Sequence, residues 1–235
     1  MKILALIPAR GGSKRLPDKN RKILGGKPLI NWTINLAKEI PEVCEILVST
    51  DDEKIAAIAK SAGANVPWLR PAEISNDKAS SVSVALHALN WYEKKYGAVD
   101  ALLLLQPTSP FRNIQSMARG IELFKKQKDY PVIGVSLVRE HPEWVLQLEN
   151  GLVSPLIKGN GMQTRSQDLN TLYIPNGSFY LISPTILRKL NSFIGYQATP
   201  LIIESIVESI DIDTQEDFDM AEFYLKSIKL KSSLL

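Results

Sequence analysis

Nine residues between Arg10 and Lys22 could together hold a strongly anionic ligand: Arg10, Gly11, Gly12, Ser13, Lys14, Arg15, Lys19, Arg21 and Lys22, with Asp18 the only acid among them. Lysines supply point charges and arginines planar forks for phosphate oxygens, while adjacent glycines let backbone N–H groups turn toward an anion. Far along the chain, Ser209-Ile210-Asp211-Ile212-Asp213 presents two carboxylates at i and i+2. On a strand both would project from one face with their Cα atoms about 6.6 Å apart. That suits shared ligation of Mg²⁺, which takes one or two carboxylates together with water and phosphate oxygens. Zinc would want His or Cys, and the chain has only His87 and His141. Each feature has a plainer reading: a charge run is commonly a solvated surface, and one aspartate can end a strand while the other begins a turn.

The elements that must position these residues favour the ligand reading of the loop. Ile3 to Ile7 is short, apolar and unbroken and is closed by Pro8, the pattern of a strand buried in a parallel sheet. The basic loop therefore follows the carboxyl end of a core strand, where open α/β sheets bind ligands. Pro28 to Ile40 reads as a helix with an apolar face of Leu29, Ile30, Ile34, Leu36 and Ala37, stopped by Pro41. A second strand over 45–50 runs into Asp51 and Asp52, which can cap a helix over 53–62. This β-α-β-α alternation predicts an α/β fold with a mostly parallel sheet and right-handed crossovers. Residues 65–69 suggest a third strand, and a polar segment over 70–83 leads into a helix through about Tyr96. Then come a buried strand at 101–105, a proline-stiffened turn from Gln106 to Pro110, a helix over 113–127 and a strand over 132–138. From about 140 to 175 no period is visible, which predicts an excursion from the main sheet, a dimerisation or lid element within a single domain spanning 1–235. A strand at 178–182, a short helix at 184–190, an ambiguous stretch at 193–203, a strand at 208–212 and an amphipathic helix over 214–228 complete the chain, with a frayed tail. Thr214 and Asp217 have capping-box spacing, so Asp217 reads as a helix cap.

Other chemistries find little support. No G-x-x-x-x-G-K-[ST] and no G-x-G-x-x-G is present, so a P-loop NTPase and a standard dinucleotide binder lose ground. His87 lies among Val84, Leu86 and Leu89 and reads as packing, His141 precedes Pro142 in the excursion and reads as loop, and no G-x-S-x-G is found; a nucleophilic triad is poorly supported. Trp32, Trp68 and Trp91 read as core. Arg165 stands in TRSQDLN as a lone arginine, which by itself is usually a solvated surface residue.

With 235 residues, 45% hydrophobic and 23% charged, the chain can bury a full core. A net charge of +3 spread over 28 basic and 25 acidic residues argues against a nucleic-acid footprint. A single cysteine, Cys44, excludes an internal disulfide, reads as a small buried residue and suits a reducing cytoplasm. The first residues lack the length of a signal h-region, and no stretch approaches the roughly 20 apolar residues of a membrane span.

Seven strings, in order, carry a resemblance: IPARGGSKRLPDKN at 7–20, VSTD at 48–51, RPAEISND at 70–77, LLQPTSPFR at 104–112, RSQD at 165–168, NGSFY at 176–180 and SIDIDTQED at 209–217. They make the chain similar to the CMP-sialic acid synthetase family, cytidylyltransferases that activate nine-carbon 2-keto sugar acids with CTP. The resemblance implies a Rossmann-like nucleotidyltransferase fold with a small dimerisation element reaching into the partner's site, hence a homodimer. It implies nucleotide binding by Arg10, Gly11, Gly12, Ser13, Lys14, Lys19, Asn20 and Asp77, with Arg70, Ala79 and Ser81 near the cytidine. It places Gln106, Thr108, Ser109, Arg165, Gln167, Asn176 and Phe193 on the sugar side, Phe193 where some relatives contribute aromatics to the neighbouring protomer. It makes Arg10, Lys19, Arg165 and Asp211 catalytic, and Asp211 and Asp213 the magnesium ligands. Ile174 stands where many sialate enzymes carry an arginine and Trp144 where some carry a lysine, which opens the sugar to relatives such as legionaminic acid. A nucleotidyltransferase for a shorter keto sugar acid or a sugar 1-phosphate, and a noncatalytic nucleotide binder, are the alternatives.

Overall fold

Alternation along the first strand, β1 (Ile3–Pro8), divides the molecule into two cores. Ile3, Ala5 and Ile7 point one way and Leu4 and Leu6 the other, all buried, as a strand covered by helices on both faces requires. The computed structural model describes residues 1–159 and 161–232. After β1 come a small hairpin, β2 (Ile23–Leu24) and β3 (Lys27–Pro28), then α1 (Leu29–Lys38), β4 (Val43–Ser49), α2 (Glu53–Ser61), α3 (Ser81–Tyr96) and β5 (Ala101–Leu104). Next are α4 (Ile114–Lys126), β6 (Val132–Leu137), a second hairpin of β7 (Leu146–Glu149) and β8 (Leu152–Pro155), β9 (Tyr173–Ile182), α5 (Pro184–Leu190), β10 (Thr199–Ile202) and α6 (Gln215–Ser232).

The main sheet runs β10-β6-β9-β5-β1-β4. β4 and β5 lie parallel on either side of β1, and β9 runs antiparallel between β5 and β6. The strand order reverses at β1, so the carboxyl ends of β1 and β5 open onto a crevice. α1, α2 and α4 cover one face through Ile34, Ile55 and Phe124; α3 and α5 cover the other through Val84, Leu89 and Leu187. A third cluster of Leu16, Leu24, Leu29, Ile210, Ile212, Phe218 and Ala221 binds the flank of the basic loop to α6.

Several expectations need correction. Residues 208–212 are not a strand. They begin in the turn at 206–209, and their neighbour is the irregular turn after β5, where the Ile212 N–H donates to the Thr108 carbonyl (2.8 Å). Residues 65–69 reduce to a single bridge between Asn65 and Leu47, since Pro67 has no N–H to extend a ladder. β9 starts at Tyr173, five residues ahead of the expected strand, and β10 occupies the ambiguous stretch. Cys44 is exposed on β4, the edge strand, rather than buried. The excursion contains the β7–β8 hairpin; α6 runs through Ser232, and the tail at 233–235 lies outside the described residues. Among the described residues no helix is long and apolar enough to cross a membrane.

Gly120 lets α4 press onto β9: a Cβ there would lie 2.5 Å from Cζ of the buried Phe179 ring. Gly120→Ala is expected to lower stability by about 1–2 kcal/mol, overpacking outweighing the ~1 kcal/mol gain in helix propensity. The urea midpoint should fall with an unchanged m-value.

Candidate active site

The turn after β5 is shaped by a side chain that the motif reading did not single out. Arg112 is 7% exposed, and its guanidinium donates to the carbonyls of Gln106 (2.7 Å), Ser109 (2.6 Å) and Ser178 and to the Thr33 hydroxyl (3.2 Å). One planar fork thus fixes the turn after β5 against β9 and α1. Burial lowers the Arg112 pKa and the nearby charge of Asp211 works the other way. A signal was present in the sequence: a charged residue closing a proline-bounded turn behind a buried strand.

Above this turn lies a cleft of about 560 Å³. Arg10, Ser13, Lys14, Arg15, Lys19 and Asn20 line it from the loop after β1; Arg70, Asp77, Ala79 and Ser81 from the approach to α3; Gln106 and Thr108 from the turn; Asp211 and Asp213 from the segment before α6. The structure therefore brings together most of the residues expected from the sequence. Asn20 is buried and donates to the Arg10 carbonyl (3.1 Å), holding the loop closed on itself.

The glycines work differently from the expectation. Neither Gly11 nor Gly12 takes a positive φ. The Gly11 N–H donates to Asp51 (2.9 Å), in the turn after β4, and the Ser13 N–H to the Gly11 carbonyl (2.9 Å), so these two amides are engaged within the protein rather than turned to a ligand. Gly11 is needed for close packing, because a Cβ would lie 2.9 Å from that of Asp52. Asp52 caps α2 through the Lys54 and Ile55 amides, which leaves Asp51 for the loop.

Charge in the cleft is arranged in pairs. Asp77 bridges Arg10 (2.7 Å) and Lys14 (2.6 Å), and Asp213 bridges Arg15 (2.5 Å) and Lys19 (2.8 Å). Arg70 is different: it is 7% exposed, its guanidinium is 3.7 Å from Asp51, and its Nε and Nη2 have no hydrogen-bond partner. Burial lowers its pKa, with Asp51 offsetting. A buried fork with unmet donors on a cleft wall is built for an acceptor that arrives with a ligand. Asp211 has its pKa raised, first by desolvation between the cleft walls and also by the charge of Asp213, while the Thr108 hydroxyl works against the shift. Such crowding of two carboxylates is what a cation relieves. Among the described residues no group of three or more His, Cys, Asp or Glu side chains could hold a metal, so a cation here would lean on these two carboxylates and on ligand oxygens, as magnesium does. As expected, Asp217 caps α6, and it also accepts from the Asp213 and Thr214 amides, fixing the backbone that carries the pair.

Five expected sugar-side residues, Ser109, Arg165, Gln167, Asn176 and Phe193, do not line the cleft with the rest. Arg165 and Gln167 are exposed on the excursion, where Arg165 pairs with Asp168 (2.9 Å). Asn176 turns into β9, donating to Ser136 (2.9 Å) and accepting from the Ser178 hydroxyl (2.7 Å), because the irregularity opposite Gly134 needs those bonds. Phe193 is 7% exposed and packs with Tyr180 in the α3 core; Tyr196 is the exposed aromatic of that stretch. Ser109 is fully buried beneath the turn. Gly177 (φ +75°) forms the floor: a Cβ there would lie 3.2 Å from Gln106 Oε1 and 3.9 Å from Asp211 Cγ. Tyr180, also missed, has its pKa raised by burial and by Asp211.

Fold and cleft together define an α/β protein of nucleotidyltransferase architecture with its main cleft at the sheet's switch point. A model of the cytidylyltransferase family matches residues 4–227, and the chain belongs to that family. It is 38% identical over 230 residues to the CMP-N,N'-diacetyllegionaminic acid synthase of Legionella pneumophila, covering 94% of this chain and 95% of the relative. It is 33% identical over 221 residues to the N-acylneuraminate cytidylyltransferase of Escherichia coli, covering 94% of this chain but spanning about half, 51%, of that relative. Its fold is similar to that of a CMP:2-keto-3-deoxy-manno-octonic acid synthetase solved with CTP, at a TM-score of 0.70 and 18% identity over 97% of this chain and 99% of the other.

Arg112→Lys is expected to destabilise the protein by about 2–4 kcal/mol in urea titrations, since an ammonium keeps the charge but leaves buried carbonyls unpaired.

Proposed function

We propose that this chain transfers CMP from CTP to the anomeric hydroxyl of a nine-carbon 2-keto sugar acid, with legionaminic acid or a close relative as the acceptor. The observation that carries the reading is the meeting, in one cleft, of Arg10, Lys14, Lys19 and the unmet donors of Arg70 with Asp211 and Asp213. The full-length likeness to the Legionella enzyme supports the choice of sugar. The acceptor oxygen forms a bond to the α-phosphorus, the bond to the pyrophosphate leaving group breaks, and the hydroxyl proton leaves to one of the two aspartates. Triphosphate and sugar carboxylate repel each other, so the task is mainly electrostatic. Arg10, Lys14 and Lys19 offset phosphate charge, Arg70 takes an acceptor of the cytidine side, and Gln106 and Thr108 orient the sugar over the Gly177 floor. Magnesium, held by Asp211 and Asp213, would supply further charge neutralisation at the phosphates. In-line placement of the two substrates contributes the rest.

The reading includes a homodimer in the cytoplasm. The β7–β8 hairpin exposes Leu148, Leu152 and Val153, each more than 60% accessible, and a second copy would cover such an apolar projection. Arg165 and Gln167 lie on the same excursion, and we assign them to the partner's cleft. Arg165 would clamp a carboxylate or phosphate there, since a guanidinium stays protonated.

The test is pyrophosphate release from CTP and Mg²⁺ against N-acetylneuraminic, legionaminic, pseudaminic and 3-deoxy-octulosonic acids, with a no-acceptor blank. Release is expected with a nine-carbon acid; release only with the octulosonic acid would move the assignment to a shorter acceptor, and silence throughout would reject the activity. Asp211→Asn should cut turnover at least about a hundredfold. Arg165→Ala should lower turnover while leaving the Kd for CTP unchanged by calorimetry, and full activity of this variant would remove Arg165 from the site.

A further inference from the structure

A carboxylate cannot help to bind a triphosphate by direct contact, because it accepts hydrogen bonds and donates none and repels the phosphate charge. Asp77 nevertheless stands among the cations of the cleft, one oxygen 2.7 Å from Arg10 Nη1 and the other 2.6 Å from Lys14 Nζ. Two oxygens of one anion shared between a guanidinium and an ammonium is the pattern a phosphate group would make there. The pairing is also the first cause of the lowered Asp77 pKa, Lys14 ahead of Arg10.

Asp77 is carried by a segment whose hydrogen bonds are largely local. Asn76 folds it into a self-contained turn, its side chain accepting from the Lys78 amide (2.9 Å) and donating to the Glu73 carbonyl (3.0 Å). The turn is anchored on either side, by the Arg70 amide on the Thr50 carbonyl and by Ser80, which caps α3. Asp77 itself is half exposed, with a side-chain accessibility of 49%, and its two ion pairs are its bonds to the basic loop after β1. The analogous bridge of Asp213 to Arg15 and Lys19 belongs to the carboxylate pair already assigned to a cation.

We propose that Asp77 is an internal placeholder for a phosphate: it holds Arg10 and Lys14 in their binding positions and is displaced when the nucleotide's triphosphate takes both cations, releasing the segment 73–80. The inference rests on the reading of this cleft as a triphosphate site. Displacement sets an affinity cost equal to the two exposed pairs, so removing the negative charge tightens anion binding rather than weakening it. A residue that positioned the nucleotide directly would do the reverse.

The experiment is calorimetric titration of wild type, Asp77→Asn and the distant charge control Glu122→Gln with CTP and, separately, with inorganic tripolyphosphate. Asp77→Asn should bind both about three- to tenfold more tightly than wild type, the worth of two exposed ion pairs, with Glu122→Gln unchanged. Hydrogen exchange supplies the second readout: the amides of 73–80 should exchange faster in wild type saturated with tripolyphosphate, and in free Asp77→Asn, than in the free wild type. Equal or weaker binding by Asp77→Asn, or exchange in 73–80 that the anion leaves unchanged, overturns the proposal. Tighter tripolyphosphate binding without CTP binding keeps the placeholder and rejects the nucleotide assignment. Binding of neither anion by any variant overturns both.

Discussion

A guanidinium buried beneath a turn must find acceptors without water, and Arg112 finds them on backbone carbonyls from both sides of the cleft floor. Its acceptors at Gln106 and Ser109 belong to the turn after β5, and that at Ser178 to β9, which runs against both of its neighbours in the main sheet. An unpaired buried charge is costly, so the turn and β9 are held in the arrangement that satisfies it. Gln106, Thr108 and Gly177 are on that framework, and Ile212 hangs from it by the bond to the Thr108 carbonyl. The cleft floor thus inherits its geometry from one satisfied cation.

Over that floor the electrostatics are divided between committed and uncommitted groups. Arg10, Lys14, Arg15 and Lys19 each have a carboxylate within 2.8 Å, whereas the buried Arg70 has Asp51 only at 3.7 Å and no hydrogen bond on its Nε or Nη2. Exposed pairs are worth little and exchange easily for a phosphate, while a buried unmet donor gains a full hydrogen bond. The loop cations are therefore suited to exchanging anions and Arg70 to discrimination on the base side.

The two aspartates before α6 illustrate what the sequence pattern could and could not convey. Their alternation with Ile210 and Ile212 puts the isoleucines in the core and the carboxylates outward, as a strand would. Yet no ladder forms, because the segment runs beside a turn rather than a strand edge. Asp217 replaces the ladder by accepting from the Asp213 and Thr214 amides.

Local sequence determined the buried β1, the helices with clear apolar faces, the cap at Asp52, the Thr214–Asp217 box and the basic loop, because each depends on side-chain periodicity or on contacts within a few residues. The resemblance carried by seven separated strings located most of the cleft lining. Only the tertiary structure decided where β9 begins, that Asn176 and Phe193 turn inward, that Gly11 serves packing against Asp52, and that Arg112 braces the turn beneath the cleft. Those outcomes depend on partners distant along the chain, such as Ser178 for Arg112 and Tyr180 for Phe193, and burial of a charged or aromatic group is settled by what folds over it.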